Sequence, residues 1–261
     1  MVYSWIRTNK WIQKLGDHMK KKSFQLKTEK KQKRKNRLIA SLFVILFMIG
    51  VAIFQADNIL NYFVHQHQTM QFQKLSADEL AKNRKKKASF DYDAVEMINN
   101  KKIMDSLLSN EGANKNYVIA GISIPSVGIR LDIYKGVSEY ALLRGAGTYF
   151  PDRELGKGNF VLAGHNMEDE VTLFSPLYRI QKGQKIYVSD GKEIFVYKVS
   201  EILTISSTQV EVLDDIEKGQ PVITLITCAD RYAINRICVK GKLVEKIAVQ
   251  DASSKIKEVF S

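Results

Sequence analysis

Hydrophobic and polar residues divide the chain into three regions of different pattern. The run LIASLFVILFMIGVAIF, Leu38–Phe54, contains no charged or amide residue. A polar stretch from Asp57 to about Asn116 follows, with no proline and no glycine before Gly112. Beyond it, β-branched segments with a period of two alternate with turn residues such as Pro125. This order predicts a membrane helix, a helical stalk and a β-rich domain.

The apolar run predicts an uncleaved membrane anchor over residues 38–56. A helix of this length spans roughly 25 Å, the short end of what crosses a bilayer. A cleaved signal peptide is the alternative, but IFQA puts Phe54 where cleavage requires a small residue. The preceding basic cluster KKQKRKNR, residues 30–37, then stays cytoplasmic by the positive-inside rule, with the C-terminal domain outside the cell. Met1 and Met19 are both possible starts.

The net charge of +12 is concentrated in this N-terminal tail. Residues 1–37 hold 13 of the 40 Lys and Arg residues against two acidic ones, so they account for +11. The rest of the chain is close to neutral. A nucleic-acid-binding domain would carry its basic residues on the fold itself, so we expect no nucleic-acid partner.

The polar stretch 57–115 predicts a helical stalk. Ser76 and Glu79 have the spacing of a capping box, which indicates a helix that begins after Ser76. The HQH string at His65–His67 has the look of a metal pair on a strand. Because no third ligand is nearby, we interpret it as a solvated segment.

Residues 116–248 carry the pattern of an all-β domain, with a polar C-terminal tail at 249–261. SDGKE at 189–193 is typical of a tight hairpin. Short strands with frequent turn signals predict a barrel or a sandwich, and about 130 residues suffice for a core of their own. The strand candidates are GNFVLAGH, KIYVSD, EIFVYKVSEILTI, QPVITLITC and RICVKGKLVE.

Three polar groups at strand ends are candidates for chemistry. Cys228 ends ITLITC, where it shares a strand face with Ile226. His165 in VLAGHNM follows Gly164, which we expect to let the backbone turn. The third group is an arginine, either Arg231 or Arg236.

These residue types are suited to acyl transfer. A nucleophilic thiol needs a base or a cation beside it. A histidine can act as base and then as acid, and an arginine can stabilise a thiolate or an oxyanion. The residues alone leave a structural thiol and a nucleophile equally open.

The motifs around these residues closely resemble the sortases, specifically the class A housekeeping type. TLITC occurs together with LAGHN upstream and RICVKGKL downstream. ASFDYDAVE, IPSVGIRLDIYKGV, GAGT and LFSPL extend the resemblance, which covers roughly residues 89–245.

The resemblance implies a fold and an activity. The expected fold class is all-β, an eight-stranded sortase-type barrel with short helices. The expected enzyme is a membrane-anchored cysteine transpeptidase that needs no cofactor. It would cleave LPXTG-type sorting signals between Thr and Gly and form a thioester. The amine of a peptidoglycan precursor, lipid II, would then resolve this thioester.

The resemblance also assigns roles to individual residues. Cys228 is the expected nucleophile, His165 the general acid and base, and Arg236 the guanidinium that holds substrate and oxyanion. Arg236 is preferred to Arg231 because it directly precedes ICVKG, as the arginine of the family does. Five positions match substrate-binding ones, the last through its backbone N–H: Ala163, Val212, Leu213, Thr227 and Ala229.

Two expectations concern metal and the second cysteine. Calcium-dependent sortases place several carboxylates before the histidine strand. Here PDRELGKGN mixes Arg153 and Lys157 among the acidic residues, and calcium needs six to eight oxygens, so we expect no metal. In a hairpin with the Cys228 strand, Cys238 would face Ile226, which makes it a buried structural thiol.

Other functions remain as alternatives. A pilin-polymerising sortase commonly carries a C-terminal apolar anchor, whereas VEKIAVQDASSKIKEVFS is polar. A tethered cysteine peptidase would pass the thioester to water instead of an amine. A barrel that only binds a surface partner would leave Cys228 chemically inert.

Overall fold

The computed structural model describes residues 30–56, 58–59, 62, 70–92, 101, 117–167, 169–214, 220–230 and 234–260. The chain divides into two compact units, Met1–Ala56 and Asp57–Ser261. The HQH string and Arg231 lie outside the described residues.

The first unit contains one long helix, α1, at Lys30–Phe54. It begins eight residues before the predicted span at 38, because lysine and arginine favour helix and the basic cluster therefore joins the apolar run. Its 25 residues measure about 38 Å. Among the described residues, α1 alone has the length and composition needed to cross a membrane.

Two short helical elements precede the barrel between residues 72 and 84. A 3-10 helix covers Phe72–Lys74 and α2 covers Ala77–Arg84. The predicted capping box is confirmed, since the Glu79 N–H donates to Ser76 Oγ and the Ser76 N–H donates to Glu79 Oε2 at 2.8 Å. Leu80 on α2 is fully buried.

Eight strands then close into a barrel in the order β1-β2-β3-β4-β7-β8-β6-β5. All pairs are antiparallel except β2–β3 and β4–β7. The predicted eight-stranded barrel is thereby confirmed. The strands are β1 Val118–Ile124, β2 Ile129–Tyr134, β3 Gly145–Thr148, β4 Asn159–Ala163, β5 Lys185–Ser189, β6 Glu193–Ser206, β7 Val222–Cys228 and β8 Asn235–Ala248.

Alternation along the strands separates a core inside the barrel from clusters on its outer surface. Phe160, Leu162, Ile223, Leu225 and Val239 belong to the inner core. Between them along the same strands, outward residues form a second cluster over β4, β7 and β8. We call it the outer cluster, and its buried members are Val137, Leu142, Val161, Ala163, Ile205, Leu213, Ile226 and Cys238.

Short helices connect the strands. The helix α3, Glu139–Arg144, lies between β2 and β3, whose parallel pairing requires a crossover. A 3-10 helix at Ser175–Arg179 follows β4, and another at Val210–Leu213 follows β6. The predicted hairpin joins β5 to β6 through Gly191, whose φ of 86° suits glycine.

The segment interpreted from sequence as a polar tail, 249–261, packs onto the barrel. It forms a 3-10 helix at Val249–Asp251 and the helix α4 at Ser254–Glu258. Phe260 is buried, with its ring centroid 5.8 Å from that of Phe72. Ala252 is buried in the same cluster, against which Ile256 and Val259 also pack, so a few apolar residues dock a segment whose average composition is polar.

Candidate active site

Cys228 and Arg236 face each other across two neighbouring strands. Cys228 is the last residue of β7, and its register partner on β8 is Arg236. Directly opposed residues of an antiparallel pair point to the same face, with Cβ atoms about 5 Å apart. Strand pairing alone therefore brings the guanidinium to the thiol.

His165 reaches the same level from the other side of β7. The strands β4 and β7 run parallel, with Ala163 paired to Ile226. The Gly164 N–H extends this pairing by donating to the Ile226 carbonyl oxygen at 3.1 Å. His165 follows Gly164 directly, and its other neighbour, Asn166, contacts the backbone of Cys228. The three predicted catalytic residues thus lie on adjacent strand ends of the barrel.

A side-chain hydrogen bond ties the histidine loop to the cysteine strand. Asn166 Nδ2 donates to the Cys228 carbonyl oxygen at 2.9 Å. The His165 carbonyl oxygen accepts from the Phe174 N–H at 3.0 Å. The loop that carries His165 is therefore held at both of its sides.

Gly164 has a different role from the one expected. The sequence suggested a glycine needed for a turn, but its φ is not in the left-handed region. A Cβ at Gly164 would instead lie 2.6 Å from the Phe174 ring. Close packing against Phe174, beside His165, accounts for the glycine.

The environment of the Cys228 thiol has opposing effects on its pKa. Burial raises the pKa above the usual value and is the largest effect. The Arg236 guanidinium lowers it, and the Asp230 carboxylate raises it again. The thiol is consequently protonated at neutral pH, so nucleophilic attack requires a base to take its proton.

Three of the predicted substrate-binding residues belong to the outer cluster or pack against it. Ala163 and Leu213 are each 1% exposed within that cluster, and Val212 packs against it half-buried. The Asn159 side chain holds this edge in place by donating to the Leu213 carbonyl oxygen at 3.0 Å. Two of these three residues are therefore buried in the outer cluster, and their contact with substrate stays a prediction.

The other two predicted substrate-binding residues are placed differently. Thr227 alternates with Cys228 and is buried, and its hydroxyl has no hydrogen-bond partner among the residues that the structure describes. The Ala229 N–H donates to the Asn235 carbonyl oxygen at 2.9 Å. Its use in an oxyanion hole stays a prediction that requires this bond to open, and Arg236 is the other candidate donor.

Cys238 is a separate, buried thiol. It is 0% exposed, pairs in register with Ile226 and forms no disulfide. Burial raises the pKa of Cys238 to about 11. These facts agree with the structural thiol expected from the hairpin geometry.

The predicted absence of a calcium requirement is not decided by the fold. Glu154 in the β3–β4 connection pairs with Lys157 at 2.5 Å, which lowers the pKa of the Glu154 carboxyl. Among the residues that the structure describes, no three His, Cys, Asp or Glu side chains are grouped to hold a metal ion.

Two residues at this site escaped the sequence reasoning. Asn166 adjoins His165, but its hydrogen bond to Cys228 depends on tertiary structure. Tyr92 lies in ASFDYDAVE, one of the strings that resemble the sortases, and it packs against the outer cluster, where a hydrogen bond with Arg236 lowers the pKa of its hydroxyl. The resemblance of that string to the sortases, at a position before the β-rich segments, was the signal that could have indicated Tyr92.

Comparison with known proteins supplies the family. A family model for the sortase domain matches residues 122–244. Sortase A from Streptococcus agalactiae serotype III is 35% identical over 227 residues, covering 84% of this chain and 90% of that protein. Sortase A from Listeria monocytogenes serovar 1/2a is 36% identical over 188 residues, covering 71% and 82% respectively.

A solved structure agrees with this relationship. The crystal structure of Listeria monocytogenes sortase A matches with a TM-score of 0.51 at 36% identity. The match covers 55% of this chain and 97% of that chain. The shared region is thus nearly the whole of the solved molecule.

Proposed function

Because the chain belongs to the sortase family, as a class A member, we propose that Cys228, His165 and Arg236 carry out its reaction. The protein is a cysteine transpeptidase that cleaves LPXTG-type sorting signals between Thr and Gly. The observation that supports the residue roles is the strand register: Cys228 is opposed to Arg236, and His165 lies just beyond Ala163, which pairs with Ile226 on the cysteine strand.

In the proposed first half-reaction, His165 takes the proton of the Cys228 thiol and the thiolate attacks the threonine carbonyl carbon. Arg236 donates hydrogen bonds to the resulting oxyanion, and its charge cannot be lost at working pH. The C–N bond to glycine breaks, and His165 returns the proton to the leaving amine. A thioester on Cys228 remains.

In the proposed second half-reaction, an amine of the acceptor attacks the thioester carbonyl. His165 takes the proton of this amine, a new amide bond forms and the C–S bond breaks. Cys228 leaves as thiolate and regains the proton from His165. Atoms and charge balance without a redox partner or metal.

We infer the biological partners from the family. The substrates are surface proteins with LPXTG-type signals, and the acceptor is a cell-wall precursor amine, for which we propose lipid II. We further propose that α1 anchors the protein in the membrane lipid, with residues 1–37 cytoplasmic and the barrel extracellular. The basic cluster before the apolar run supports this orientation.

Mass spectrometry of the full chain with an LPXTG peptide tests the proposed nucleophile. We expect an acyl adduct on Cys228, formed equally by Cys238→Ala, the matched control, and absent from Cys228→Ala. Adding an amine should convert the adduct mainly to the ligated peptide. An adduct on Cys238, or hydrolysis that outpaces ligation at saturating amine, would contradict the proposal.

A further inference from the structure

A segment ahead of the barrel runs along its surface towards the active site. After α2 the chain passes β2, where the Val137 N–H donates to the Ser89 carbonyl oxygen at 2.9 Å. The approach is close, because a Cβ on Gly136 would lie 2.3 Å from that same oxygen. Glycine at 136 therefore allows the segment to lie directly on the barrel.

Tyr92, three residues after Ser89, packs at the border of the outer cluster. Its ring centroid is 5.0 Å from that of Tyr149, with the planes at 38°. Phe150 extends the aromatic group at 5.0 Å from Tyr149. The Tyr92 ring is thus held by packing independently of its hydroxyl.

Tyr92 lies close to the proposed catalytic residues. It packs against the outer cluster, whose member Ile205 is the register partner of Arg236 on β6. A side-chain hydrogen bond with Arg236 lowers the pKa of the Tyr92 hydroxyl, and the charge of an ionised Cys228 raises it. An arginine has only donors, so the phenol oxygen is the acceptor. Tyr92 precedes the first strand, so this contact links a segment outside the β-strands to Arg236 on β8.

The chemistry of a phenol suits this place. Burial raises the pKa of Tyr92 above its usual value, more than the neighbouring Arg236 lowers it, so the hydroxyl stays neutral. A carboxylate there would neutralise the guanidinium, whereas a neutral acceptor orients it and leaves its positive charge available.

We propose that Tyr92 is a positioning residue for the transpeptidation reaction: its hydroxyl holds the Arg236 guanidinium over the Cys228 thiol. This role rests on the proposed function of Arg236. It acts through the geometry of the guanidinium, so removing the hydroxyl lowers the acylation rate and leaves substrate binding nearly unchanged.

The test compares Tyr92→Phe with wild type in single-turnover acylation of the full chain by an LPXTG peptide. We expect the maximal acylation rate to fall about fivefold, the typical worth of one hydrogen bond, with little change in the half-saturating peptide concentration. Phenylalanine retains the packing on Tyr149. Tyr140→Phe is the matched control, since Tyr140 also contacts an arginine, Arg144 at 4.9 Å, but on α3. It should acylate at the wild-type rate.

A second pair of variants separates this role from a general effect on stability. In an Arg236→Ala background, Tyr92→Phe should cause no further loss, because its target is gone. Two outcomes would overturn the positioning role and leave the proposed function intact. One is a full fivefold loss in that background, and the other is acylation by Tyr92→Phe alone at the wild-type rate or faster. Failure of the wild type to acylate would overturn both.

Discussion

At the scale of single residues, burial and two charged neighbours shift the pKa of the Cys228 thiol. Burial raises its pKa most, Arg236 opposes that rise, and Asp230 adds to it. The carboxylate of Asp230 also accepts from the Ile234 N–H at 3.0 Å and the Asn235 N–H at 2.9 Å, which ties it to the start of β8. Arg236 is therefore the residue that promotes thiolate formation.

Alkylation of the thiol measures this effect directly. In a Cys238→Ala background, Arg236→Ala should slow iodoacetamide modification of Cys228 at pH 7 several-fold, because losing the guanidinium raises the thiol pKa. Arg236→Lys, which keeps a positive charge, should react closer to the wild-type rate. Equal rates for all three proteins would show that Arg236 has no influence on the thiol.

At the scale of elements, a buried carboxylate attaches the N-terminal segment to the barrel. Asp132 on β2 is 3% exposed and accepts from the backbone N–H groups of Gln71 and Phe72, each at 2.8 Å. Burial outweighs these bonds and raises the pKa of Asp132 to about 6. The attachment therefore depends on pH.

The sign of this dependence follows from the raised pKa. The folded state binds the proton more tightly than the unfolded chain. The stability that protonated Asp132 contributes is therefore fully present below about pH 4, and it is lost as the pH rises through about 6. The loss amounts to about 3 kcal/mol at most.

Asp132→Asn should remove this pH dependence. We expect the free energy of unfolding of the wild type to decrease relative to that of the variant between pH 4 and pH 7. Far-UV circular dichroism in urea is the suitable measurement, since both tryptophans, Trp5 and Trp11, precede the barrel in sequence. A constant difference between the two proteins across this range would contradict the assignment.

At the scale of the whole molecule, anchoring and catalysis belong to separate units. The apolar helix lies in Met1–Ala56, and all three proposed catalytic residues lie in Asp57–Ser261. A change that abolishes membrane insertion should therefore leave the chemistry of the barrel intact.

Replacing Phe47 and Ile49 by arginine tests this division. Each arginine at the centre of a spanning helix costs about 3 kcal/mol of insertion free energy, so the pair should release the protein from the membrane fraction. Acylation by a soluble LPXTG peptide should persist. Phe47→Leu with Ile49→Leu is the control that stays membrane-bound, and retention of the double arginine variant would argue against a spanning α1.

Local patterns were sufficient for some elements and insufficient for others. The capping box at Ser76, the hairpin at Gly191 and the strand ending at Cys228 depend on residues adjacent in sequence, and each was predicted. The docking of Phe260 and the reason for Gly164 depend on partners far along the chain, Phe72 in one case and the Phe174 ring in the other. The spacing of residues along the sequence does not predict such contacts.

By itself, the sequence determined an anchored β-barrel, the three catalytic candidates and the family. Alternating hydrophobicity and the motifs around His165, Cys228 and Arg236 are local properties that need no folding to be visible. Only tertiary structure decided that Cys228 is opposed to Arg236, that the His165 loop is bonded to β7 through Asn166, and that Tyr92 packs on the outer cluster from ahead of the barrel. Those outcomes depend on strand register and on packing between distant segments, which exist only once the barrel has closed.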